Sequence, residues 1–590
     1  EGTLDASKTL GFFAGVIHKY HALDRLTIGS GATLSLESGV ELSVRDLQIY
    51  GDLMVPDAAL HYYSSSAYDH IDVHAGGQLL LSGSAIYSDS EPVYIHDGGY
   101  AELLGVTLTD SRWHYQAGSS GRVEANTGED WYLYVADASV AVSGNRLQSL
   151  VLQATAVAEN NILDHLVLQA PATVLENTLQ TMTVFSSGAG AAVRQNMFNG
   201  STPLQLQDPD LDLEMFVDNA FRAPDPWSGI EGTLDASKTL GFFAGVIHKY
   251  HALDRLTIGS GATLSLESGV ELSVRDLQIY GDLMVPDAAL HYYSSSAYDH
   301  IDVHAGGQLL LSGSAIYSDS EPVYIHDGGY AELLGVTLTD SRWHYQAGSS
   351  GRVEANTGED WYLYVADASV AVKDNNPIEY LALDAPATVR HNTLESMTIG
   401  LSAASATVTD NTFTGGMPIA LQDPDIDLVA FSDNTFSALD PRIGLGGTLD
   451  ASKTLEVFAG GIGRYYAFER LTIASGAALV LASGVELFTT RGGIWVYGRL
   501  AVPDATLCGY SHSGGTFVYS GGELLLNGSR IFGHRMWISD GGYGEAVGVA
   551  FGGGLSVEYR TGSKGLIEGN SGDWQLSVHS DAAVAISGND

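Results

Sequence analysis

Residues 1–142 recur without a single change as residues 231–372, and a diverged third start, "GGTLDASKTL", opens at Gly446. A chain that repeats itself this closely is built from units that pack on their own kind, because the same side chains need the same partners in every copy. Copy one is residues 1–230, copy two is the shorter 231–445, and a partial third copy is 446–590.

Each full copy has two parts. The first, 1–142 and again 231–372, is Gly-rich and alternates apolar with polar residues in short runs. "ATLSLESGVELSV" sets Leu34, Leu36, Val40 and Leu42 at period two, broken by Ser-Gly turns. That is the pattern of half-buried strands. No sustained helical period is present, and "VIHKYHALDRL" reads as one short helix at most. The second part, 143–230 and 373–445, carries a recurrent asparagine, two residues before a Leu or Phe at every one named here but Asn375, which precedes Asn-Pro. In copy one these are Asn145, Asn161, Asn177, Asn196 and Asn219; in copy two they are Asn375, Asn392, Asn411 and Asn434. The last two steps match between copies: Asn177 to Asn196 to Asn219 has the spacing of Asn392 to Asn411 to Asn434. Copy two is thus one unit short, which accounts for its shorter length. An array that drops one unit and keeps the rest is a stack of coils, each touching only its neighbours. Asparagines at one corner of successive coils form a ladder, each amide donating to one coil and accepting from the other. Asparagine also tolerates the left-handed backbone of a turn. The following Leu163, Leu179, Phe198 and Phe221 are expected to point inward.

These phrases carry a resemblance. "LTIGSGATLSLESGVELSV…LQIYGDLMVPDA" in copies one and two, with the weaker "LTIASGAALVLASGVEL…IWVYGRLAVPDA" at Leu471–Ala505, resembles the Gly-punctuated coils of right-handed parallel β-helix proteins. This is the pectin-lyase-like fold of many bacterial cell-surface repeat proteins. The resemblance implies an all-β chain, a parallel β-helix (β-solenoid) built from tandem repeats. It says little of activity, since enzymes, adhesins and spikes share the fold. The step from Asn145 to Asn161 is short for a coil of three strands. At about 22 residues per coil, the chain would make roughly 27 coils and a rod on the order of 130 Å.

Composition narrows the partners. Lys plus Arg number 27 against 70 Asp plus Glu, a net charge of −43, which disfavours nucleic acid and anionic membranes. Only 16% of residues are charged and 45% are hydrophobic, which suits a core rather than a disordered acidic tail. Cys508 is the one cysteine, so a disulfide framework and a Cys-rich zinc site are excluded. No apolar run reaches membrane-spanning length. The chain opens at Glu1 with no Met or signal peptide and ends mid-repeat at "AISGND", as expected of a processed form or a piece of a longer array.

Candidate chemistry is sparse. "YDHIDVHAGG" sets His70, Asp72 and His74 on one strand face, a His-Asp-His pattern or a solvated face; copy three reads "GGTFVYSGG" there. Likewise His18, Lys19 and His21 of "VIHKYH" give way to "GIGRYY" in copy three. Asp208, Asp210 and Asp212, repeated as Asp423, Asp425 and Asp427, set three carboxylates close together in the chain and are the best calcium candidates. Asp-Pro is also an ordinary turn former. "SRWHYQ" offers Trp113 and Tyr115 to a glycan, near Arg112 and Arg122. No nucleophile elbow, phosphate loop or zincin helix occurs. No cofactor is expected, apart from calcium at the Asp clusters.

The expected function is an extracellular or cell-surface structural protein: a fibre, stalk or adhesin, stacking head to tail into a filament. Its partners would be copies of itself or further repeats, glycans, or a cell surface. The alternatives are a polysaccharide lyase, hydrolase or epimerase on the same fold, and a calcium-dependent glycan-binding module.

Overall fold

The Gly-Ser turns cut the chain into short strands, and the named strand pairings are all parallel, one coil to the next. The computed structural model describes residues 2–63, 69–89, 91–293, 299–319, 321–490, 492–509 and 514–590, with Gly460 described by its backbone alone. Among these residues five short 3-10 turns are the helical content. The "VIHKYHALDRL" stretch is strand, not helix. It forms Lys19–His21 and Arg25–Ile28 in copy one, and a single strand Lys249–Ile258 in copy two. The identical residues differ because Trp227–Leu234 pairs along Lys249–Ile258, whereas the preceding strand Gly2–Leu4 pairs only with Leu26–Ile28.

The chain divides into two compact units, Glu1–Leu277 and Gln278–Asp590. The division falls inside copy two rather than between copies. Coils that touch only their neighbours make no closed core per copy, so a copy boundary is no weaker than any other level of the stack.

In the first unit, a coil of the Gly-rich part holds three short strands. Gln78–Ser82, Ala85–Ser88 and Pro92–Ile95 are followed by Tyr100–Leu104, Thr107–Thr109 and Arg112–Tyr115. Leu79 lies over Ala101, Ile86 over Leu108, and Val93 over Trp113. The first strands form a ten-stranded parallel sheet from Lys8–Leu10 to Ala192–Arg194. Beyond Glu129 the second and third strands fuse into single longer strands, Arg146–Leu152, Ile162–Leu168 and Thr178–Val184. Losing one corner shortens the coil. Val93 pairs with Trp113, whereas Leu150 pairs with Leu166, a shorter step along the chain. That is the origin of the short step between Asn145 and Asn161. The second unit follows the same plan, with fused strands Ile378–Leu383 and Thr393–Ile399. Its third-copy coils build a seven-stranded sheet from Lys453–Leu455 to Ala583–Ser587.

The core is a set of registered columns. Val55, Leu81, Leu103, Val123, Val142, Ala158, Val174 and Val193 stack one per coil, all buried. Burial of each larger aliphatic contributes about 1.5–3 kcal/mol. Strand alternation also corrects one expectation. Trp113 and Tyr115 are each 1% exposed and face the core, so their rings are not available to a glycan; Arg112 and His114 take the outward positions. Room for Tyr115 comes from small residues beside it. Its hydroxyl donates to the Ala101 carbonyl at 3.1 Å. A Cβ on Gly121 would overlap that carbonyl oxygen and stand 2.8 Å from the Tyr115 ring. Tyr345 with Gly351, and Tyr559 with Gly565, repeat the arrangement.

Gly121→Ala is therefore expected to destabilise its coil by about 1–3 kcal/mol, since the obstructing atom is backbone and cannot turn away. In a stack with only neighbour contacts the damage stays local. Hydrogen exchange should speed at Tyr100–Val135 and remain unchanged in the second unit.

Candidate functional site

The asparagines form two continuous ladders and a short third one. In the first unit Asn126, Asn145, Asn161, Asn177, Asn196 and Asn219 follow one another. Each Nδ2 donates to the Oδ1 of the next asparagine at 2.8–3.0 Å. Each backbone N–H donates to the same Oδ1 at 2.8–3.0 Å. Nδ2 also donates to backbone carbonyls; for Asn177 these are Ala158 O at 3.0 Å and Leu175 O at 2.9 Å. The second unit has Asn356, Asn375, Asn392, Asn411 and Asn434 in the same geometry, and then Asn570 with Asn589. Leu163, Leu179 and Phe198 point inward, and Phe198 stacks on Phe221 at 4.9 Å.

Sequence reasoning missed Asn126, Asn356 and Asn570. The signal was present, since Asn126 stands as far before Asn145 as Asn177 stands before Asn196. It was masked because Thr-Gly, not an apolar residue, follows it. The left-handed backbone also sits elsewhere than expected. The residue before the rung takes it: Gly144, Asn160, Glu176 and Gln195 at φ of 56–66°, and Asp374, His391 and Asp410 at 58–59°. Placing a non-Gly residue there costs about 1–2 kcal/mol, which the saturated amide behind it offsets.

The Asp clusters are occupied by the protein itself. Asp208 accepts from Asp210 N at 2.9 Å, and Asp212 caps a 3-10 turn by accepting from Glu214 N at 2.9 Å. Asp210 accepts from Asp235 N and Ala236 N, both at 3.0 Å, at the start of copy two. Lys238 enters the cluster, donating to the carbonyls of Pro209 (2.6 Å) and Leu211. Burial holds its ammonium below the ordinary lysine value, and Asp210, Asp212 and Asp208 partly restore it. Asp423, Asp425, Asp427 and Lys453 repeat every one of these contacts. The carboxylates are thus not gathered as a metal-holding set: no such group of three occurs among the described residues. The lysine of "DASKTL" is a further structural position that sequence reasoning passed over.

A cavity of about 670 Å³ adjoins the second cluster, lined by Asp427, Lys453, Glu456, Val457 and Phe458 among others. A carboxylate is kept at this level of each copy by two routes. In copy two the Glu267 carboxyl lies where a Cβ on Gly241 would stand; in copy three the same two positions read Ala482 and Glu456. Lys453 is tied to backbone carbonyls there, which leaves it poorly placed to act as a base.

His70, Asp72 and His74 do not converge. Asp72 accepts from His96 Nε2 at 2.7 Å and from Gln48 Nε2 at 2.8 Å; His74 Nε2 donates to Gln48 Oε1 at 2.6 Å. His70 turns its edge to Tyr94. The rings of Tyr50, His74 and His96 stack at 4.2 and 5.1 Å. Burial, then the neighbouring His96, hold His74 below the ordinary imidazole value. The second unit repeats these bonds at Gln278, Asp302, His304 and His326.

Comparison with protein-family models gives no match, and comparison with curated protein sequences gives none either.

Two outcomes follow from this geometry. Asn177→Ala removes the acceptor of Asn161 N and Nδ2, and the donor to Ala158 O, Leu175 O and Asn196 Oδ1. Each buried group left open costs about 1–3 kcal/mol, so amide exchange of Asn161 should accelerate sharply. Asn199→Ala, on an exposed asparagine outside the ladder, should stay within about 0.5 kcal/mol. His534 is fully buried between Thr489 and Thr516, and burial pushes its pKa down to about 4. The unfolded imidazole titrates at about 6.5, so between those values the unfolded state binds more protons. Stability there is full above about pH 6.5 and falls as pH drops toward 4. Exchange at Thr516 and His534 should quicken over that range, and His534→Gln should flatten the dependence.

Proposed function

We propose that this protein is an extracellular structural β-solenoid, a surface fibre, stalk or adhesin whose repeats supply length. The observation that carries the reading is the destination of its polar side chains. Asparagine amides, Asp clusters and the central lysines are all committed to the adjoining coil. An enzyme of this fold needs convergent carboxylates with a free base; here the candidate carboxylates accept backbone N–H groups and the candidate bases are engaged. Low cysteine and a charge of −43 suit a soluble exported rod.

Electron microscopy of the native material is the direct test, expected to show rods or continuous fibres with an axial spacing near about 4.8 Å. A polysaccharide-cleavage screen should show no turnover, with or without calcium. Cleavage abolished by substitution of Lys453 or Glu456 would instead favour a polysaccharide-active enzyme.

A further inference from the structure

The outer surface of the first unit carries a cleft of about 320 Å³ lined by His61, Tyr63, Tyr87, Ser88, Asp89 and Asp110, with Thr109 on its floor. Parallel register builds it. His61, Tyr87 and Thr109 occupy the same position in three successive coils. The Tyr87 ring stacks on His61 at 4.7 Å with its plane within 8°. On the other side the next coil offers the smaller Thr109 in place of a second ring, and Tyr87 is 45% exposed. Asp89 and Asp110 flank the opening. Among the described residues no lysine or arginine lines the cleft itself, Arg45 standing over its Tyr63 wall, and neither carboxylate has an ion-pair partner.

The rest of the surface shows what such a ring ordinarily receives. Arg45 stands over the Tyr63 ring at 5.9 Å and Arg112 over Tyr132 at 5.7 Å. In the second unit Arg342 covers Tyr362 at 5.5 Å and Arg470 covers Trp495 at 4.7 Å. At Tyr87 the chain supplies no cation of its own and places two carboxylates instead. An open aromatic face with adjacent carboxylates is the arrangement that holds an ammonium group, through the ring quadrupole and charge together. A chain of net charge −43 also concentrates cations at its surface.

We propose that this cleft binds a small organic cation, a primary or quaternary ammonium, seated between the open face of Tyr87 and the carboxylates of Asp89 and Asp110. Copy two carries the same residues: His291 and Tyr317 stack at 4.8 Å, Tyr317 is 44% exposed, and Asp319 and Asp340 correspond to the two carboxylates. Copy three does not. Its register pairs Cys508 with Phe532 and Phe532 with Gly552, and His534 and Gly553 replace the two aspartates. The chain thus holds two sites and an internal control.

Titration of the whole chain with choline chloride, followed by calorimetry, tests this. Two equivalent sites per chain are expected. Tyr87→Ala with Tyr317→Ala should abolish binding, and Asp110→Asn with Asp340→Asn should weaken it about tenfold. The tyrosines are half exposed and the aspartates lie at the surface, so both variants should keep the wild-type melting curve. Absence of choline binding to the wild-type chain overturns the proposal. So does binding that survives the tyrosine double variant, or methyl glucoside binding as tightly as choline, which would make the cleft a sugar platform.

Discussion

A stacked coil has to turn a corner, and at the corner its backbone leaves the sheet ladder. An N–H group there, buried between two neighbours, finds no strand to pair with and costs about 1–3 kcal/mol if left open. The asparagine ladder answers this constraint. Each Oδ1 takes two protons from the coil before it, one from backbone and one from side chain. Each Nδ2 gives its protons to the coil after it and to carbonyls that would otherwise be open. With the corner settled, the inward columns need only be apolar and matched in volume from one level to the next. Tyr115 beside Gly121 is such a match, and the fused strands are another way of spacing the same corner.

Much of this was legible in the sequence because a tandem array repeats its constraints. Period-two runs marked the strands, and the recurrence of Asn two residues before Leu or Phe marked the rungs. Three things were not legible. Strand parity at Trp113 and Tyr115 depends on where the turn ends, and a shift of one residue exchanges inside for outside. Asn126 lacked the apolar follower that defined the pattern. The partner of Asp210 is Asp235, across a junction that no local window spans. The segment near His18, read as one short helix at most, is strand for a related reason: an extended neighbour decides its conformation, as its two forms in copies one and two show.

The acidic clusters illustrate how one residue type serves different ends in different settings. Three aspartates at alternate positions read as a cation site, and a cation is indeed there, the ammonium of Lys238 or Lys453. Because lysine comes from the next copy, the contact also fixes how one copy follows another. Asp89 and Asp110, by contrast, lie where register offers no basic side chain, and their charge faces outward.

The rungs all point one way. A given coil's asparagine has its backbone N–H unanswered until the following coil brings an oxygen to it, whereas its side-chain oxygen is used at once by the coil already in place. Construction is consequently vectorial. A ribosome delivers levels in the order in which each completes the one beneath, like courses of brick laid on a bed already set, and the growing edge presents a backbone N–H.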